Sequence, residues 1–126
     1  MKVLKSVSAL LLAASMFSSA ASATVLNYVT VRAETTPELD RALELDISIA
    51  NTRTGDVINQ SHVVRVGQSV NIPVGVYGPD FVISISERDP VNSNLIGTIN
   101  IGPGTQSGSQ RLSFFTESVT VMYGVQ

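Results

Sequence analysis

Strict alternation of aliphatic and polar residues most constrains this chain. Leu43, Leu45, Ile47 and Ile49 alternate with Glu44, Asp46, Ser48 and Ala50, which puts four aliphatic side chains on one face of an extended strand. The same period recurs at Val70, Ile72, Val74 and Val76, at Phe81, Ile83 and Ile85, at Ile99 and Ile101, and at Val119, Val121, Tyr123 and Val125. Weaker runs cover residues 25–32, 62–66 and 110–115. Between them fall turn formers: Thr54-Gly55-Asp56, Gly67-Gln68, Gly78-Pro79-Asp80 and the longer 102–109 segment. About eight short strands, each with one apolar face, predict an all-β fold, an antiparallel two-sheet β-sandwich. Ile47, Ile49, Ile72, Val74, Ile83, Ile85, Ile99, Val119 and Val121 are the expected core.

Two stretches depart from this pattern. Thr35-Thr36-Pro37-Glu38 has capping-box spacing, so either one helical turn or a polar loop is expected over 35–42. Phe114 and Phe115 are adjacent, so on a strand one ring must leave the core, to pack beneath a loop or to mark an interface, and we expect the loop-covered position.

Residues 1–23 read as a signal peptide. Lys2 and Lys5 precede an apolar run of about 11 residues, well short of the roughly 20 needed to cross a bilayer, and Ala21-Ser22-Ala23 is a small-residue cleavage site. The short Ala/Ser-rich leader looks bacterial, so a periplasmic or secreted location is expected, with one domain over 24–126. Removing the leader removes both lysines. Six arginines then face ten acids, a net charge of −4. Such a surface repels phosphate backbones, so nucleic acid is excluded as an expected partner, and membrane lipid is a poor one.

Composition also argues against catalysis. The chain has no cysteine and one histidine, His62, and it carries no nucleophile elbow, phosphate-binding loop or zinc-protease motif. Glu44 and Asp46 could form a carboxylate pair, but both fall on the polar face of an alternating strand. A non-enzymatic protein is therefore expected.

The most informative segment follows Ile85. Residues 84–97 read SISERDPVNSNLIG: an acid leaving a strand, a second acid two positions on, an amide-rich loop, then Leu-Ile-Gly entering the next strand. Carboxylates at i and i+2 can converge where the backbone turns, and Asn carbonyls can complete an oxygen shell for a hard cation such as Ca²⁺. Turn chemistry alone also accounts for Asp89-Pro90 and the asparagines. The segment resembles the third loop of C2 domains, which commonly runs Asp-x-Asp, a polar stretch, then an acid, a hydrophobic pair and Gly. The likeness spans about 20 residues, 82–101; elsewhere it is one of strand number and order, with an immunoglobulin-like sandwich the alternative.

That resemblance implies calcium ligands at Glu87, Asp89 and Asn94, with Asp40 offered from the first loop. Glu87 stands where the family has Asp, and Asn94 where it has an acid; the spacing to Gly97 is one residue shorter. Fewer charges imply affinity of about 10⁻⁴ to 10⁻³ M. The expected function is an exported, calcium-responsive binding module with a protein partner. The alternative is a structural or accessory subunit of a surface fibre (pilus, adhesin or matrix protein) acting through strand edges.

Overall fold

A computed structural model describes residues 25–77, 80–89 and 93–126; the segment read as a signal peptide, Gly78, Pro79 and residues 90–92 lie outside them. Eight strands follow in order: β1 (Val25–Thr35), β2 (Ala42–Asn51), β3 (Val57–Arg65), β4 (Ser69–Tyr77), β5 (Phe81–Arg88), β6 (Ser93–Ile101), β7 (Gly108–Phe114) and β8 (Glu117–Val125). They form two four-stranded sheets, β4-β1-β8-β7 and β3-β2-β5-β6, with every pairing antiparallel. No helix occurs among the described residues.

The alternation explains the layering. Leu43, Leu45, Ile47 and Ile49 of β2 face Val29, Val31, Val119 and Val121 of the other sheet in one apolar core, joined by Ile72, Phe81, Ile83, Ile85, Ile99 and Ile101. Of the expected core residues only Val74 is merely half-buried. Register shifts interrupt the alternation in β1 and in the β5–β6 ladder. In β1 the register shifts between Leu26 and Tyr28, so Leu26 and Val29 both point inward although three residues apart. In the β5–β6 ladder the register shifts between Ile85 and Ser86, and Ile96 and Ile99 are likewise both buried.

Residues 36–41 form a polar loop, resolving the choice between loop and helical turn. Thr36 Oγ1 accepts from the Glu38 N–H at 3.1 Å, and the Arg41 N–H donates to the Glu38 carbonyl at 3.1 Å. These local bonds hold a tight turn that the left-handed Arg41, at φ 57°, brings to an end; six residues between the two strands are too few for a stable helix. The Phe114-Phe115 expectation is also corrected. Phe115 is not covered by a loop: it sits in the two-residue turn of the β7–β8 hairpin at φ 54°, 89% exposed. Its ring meets the half-buried Phe114 edge-on, with centroids 4.5 Å apart.

Candidate functional site

The loops 36–41 and 66–68, the end of β5, the start of β6 and the β7–β8 hairpin gather at one end of the sandwich. A backbone bond from Val66 to Arg41 (2.9 Å) ties the first two of these together, and one from Gly67 to Ala33 (2.8 Å) holds the second to β1. Two strands deliver acids to this end from facing sheets. On β5, Phe81, Ile83, Ile85 and Glu87 occupy successive inward positions, and all are buried. On β8, Glu117, Val119 and Val121 do the same. Each inward apolar row thus closes on a glutamate.

Glu87 is 1% exposed and Glu117 6%. Glu38, exposed on the 36–41 loop, completes a group whose carboxylate oxygens lie within 4.8 Å of one another. Oε1 of Glu87 and Oε1 of Glu117 are buried with no hydrogen-bond partner. None of the three ion pairs among the described residues, Arg32–Glu34, Arg53–Asp80 and Arg88–Asp46, reaches this group. Arg88, adjacent to Glu87, points to the opposite face of the sheet and holds Asp46 and the Ser61 hydroxyl.

Electrostatics follow from that placement. Burial, then the hydrogen bond and charge of Glu117, then the charges of Glu38 and Asp89 push the Glu87 carboxyl up to about 8. Glu38 is also raised, by desolvation first and then by Asp40, Asp89, Glu117 and Glu44. At neutral pH the buried pair therefore retains a proton, which one carboxyl donates to the other. A depression of about 180 Å³ adjoins the group, lined by Pro37, Asn94, Phe114, Phe115, Thr116 and Glu117. Three carboxylates with two orphaned oxygens are a donor set that can hold a metal ion.

Of the residues read from sequence, Glu87 belongs to this group. Asn94 lies directly opposite Glu87 in the β5–β6 register and lines the depression. Asp89, half-buried just past β5, adds negative charge to it. Asp40 is on the right loop, but its Oδ1 accepts from the Ala42 N–H at 3.2 Å. Glu117 and Glu38 were not singled out. Glu117 had a signal, because it continues the inward phase of Val119 and Val121. Glu38 had none, since only the path of the loop brings it near.

The residues considered for catalysis are held otherwise. Ser61 Oγ donates to Asp46 Oδ1 at 2.6 Å, while His62 Nε2 bonds Gln60 Oε1 at 2.8 Å. The same Ser61 and Arg88 bonds hold the Asp46 carboxyl below the usual carboxylate range.

No family model matches the sequence, and no curated protein matches it. Among solved structures the fold is similar to one described as a C2 domain, at 9% identity and a TM-score of 0.43, covering 82% of this chain and 97% of that one. The likeness is one of fold outline.

Proposed function

We propose that this chain is an exported, non-enzymatic binding module whose acid-lined end takes up Ca²⁺. The observation that carries the reading is the pair of buried, unpartnered oxygens on Glu87 and Glu117. Buried carboxylates without a counter-charge are costly, and two remedies exist: a proton or a cation. Calcium accepts six to eight oxygens in a flexible shell. Glu38, Glu87 and Glu117 would hold it, with the Asn94 side chain and water available to complete the shell. The ion would supply positive charge and cross-link the two sheets with the 36–41 loop. The same end presents Leu39 and Phe115, 101% and 89% exposed, as apolar contact points for a protein partner.

Thermal melting of the purified protein against CaCl₂, with MgCl₂ in parallel, tests this. The expected result is a saturable rise in Tm with calcium that Glu87→Gln/Glu117→Gln abolishes, while Asp89→Ala only weakens it. No rise up to about 10 mM, beyond the weak end of extracellular sites, overturns the calcium reading. The export component is tested by amino-terminal sequencing of the protein from expressing cells, with Thr24 as the expected first residue.

A further inference from the structure

A sandwich of two open sheets has four edge strands, and here three are guarded. The N–H of Ala33 donates to the Gln68 carbonyl at 3.1 Å, on the continuation of the β1–β4 register. Antiparallel bonding alternates, so Val70 and Ile72 bond β1 and Pro73 faces the open side. The edge of β4 thus lacks a donor at its centre, and Gly75 at φ 61° bends it further. β6 and β7 shield each other on the opposite flank, where a Cβ on Gly97 of β6 would lie 3.0 Å from Leu112 of β7.

β3 has no such device. Its nine residues, Val57–Arg65, contain no proline, glycine, lysine or acid, and its ladder with β2 has no register shift. The Asn51 N–H donates to Asp56 O (2.8 Å) and the Val66 N–H to Arg41 O (2.9 Å). Both bonds lie on the β2–β3 register, so even-numbered β3 residues bond β2. Val57, Asn59, Ser61, Val63 and Arg65 therefore turn their N–H and C=O groups outward. Val57 and Val63 are also 51% and 71% exposed.

This strand is complementary to itself. Antiparallel pairing about a two-fold axis through Gln60 sets Val57 of one copy opposite Val63 of the other, and Asn59 opposite Ser61. All of these are outward-bonding positions, so bonding parity is satisfied with about eight new backbone hydrogen bonds. The axis keeps each sheet face on its own side, joining valine to valine.

We propose that β3 pairs with β3 of a second copy, fusing two four-stranded sheets into one of eight. Because the contact is isologous, it closes after two copies and builds no fibre by itself.

Sedimentation of the purified protein from about 1 to 500 μM reads the association. A concentration-dependent monomer–dimer equilibrium is expected. Asn59→Pro removes an outward N–H without touching the ladder to β2, and should raise the dissociation constant at least about tenfold. Circular dichroism of that variant must show the parent spectrum; if it does not, Val57→Lys/Val63→Lys, which sets like charges opposite each other, gives the same test. Register is read separately. The chain has no cysteine, so Gln60→Cys should yield a disulfide-linked dimer on mild oxidation, while His62→Cys, which faces Ile58 across the axis, should not. A protein monomeric throughout the range overturns the proposal and leaves the edge to a strand of a different chain. A dimer unaffected by edge variants, or cross-linked equally through position 62, overturns it too.

Discussion

Replacing Glu87 with glutamine separates the charge of the buried acid from its shape. Glutamine matches protonated glutamate in size, and its amide can donate to the orphaned Glu117 oxygen. The native carboxyl titrates near 8 against an ordinary 4.5, which at ~1.4 kcal/mol per pH unit corresponds to about 5 kcal/mol at most. The folded state binds this proton more tightly than the unfolded state. Stability from this group is therefore complete below pH 4.5, falls as pH rises, and levels off above about 8. Glu87→Gln does not titrate. It should match the parent within ~1 kcal/mol at pH 5, exceed it by about 3 kcal/mol at pH 7, and exceed it by up to about 5 kcal/mol at pH 9. Urea unfolding at these pH values with a chelator present measures the difference, in which other titrating groups cancel. A difference that stays constant from pH 5 to 9 would refute the assignment of the buried proton to this pair.

Two further perturbations probe the scaffold. Asn51 is 3% exposed, and its Oδ1 accepts from the N–H groups of Arg53 (2.9 Å) and Thr54 (3.1 Å) in the β2–β3 turn; Asn51→Ala should cost about 1–2 kcal/mol in urea unfolding. Phe114 and Phe115 should separate sharply: Phe114→Ala, against the core, loses about 2–4 kcal/mol, whereas Phe115→Ser at the exposed hairpin tip loses less than ~1 kcal/mol. Equal losses would mean that the Phe115 ring is covered.

The strands were legible where one face is buried along a regular ladder, as in β2, because a half-buried strand repeats every two residues and nothing local competes; the edge strands β3 and β7 have regular ladders but are mostly exposed, so their pattern is weak. They were faint in β1, where the bulge near Asn27 resets the phase between Leu26 and Val29; a bulge is a two-strand property that one strand's sequence does not carry. The 36–41 loop was ambiguous for a related reason. Thr36, Pro37 and Glu38 suit a helix start, but Arg41 at φ 57° ends the turn they begin and leads the chain straight into β2. Phe115 was misplaced because the apparent strand run, 110–115, extends one residue into the β7–β8 turn.

The acid site shows where such reading can be sharpened. Glu87 was noticed as an acid leaving a strand, yet Phe81, Ile83 and Ile85 already fix its phase as inward; Val119 and Val121 fix the phase of Glu117 in the same way. An acid at the inward position of a clear alternation contradicts the pattern that makes the strand, and burying it opposes stability by the margin worked out for Glu87. When two such contradictions fall at strand ends that the topology places at the same end of facing sheets, one proton or cation can relieve both. The sequence signal for a site of this kind is therefore the phase of the acids rather than their spacing in a loop. It leaves unannounced only the third carboxylate, Glu38, whose approach depends on how a six-residue loop crosses between the sheets.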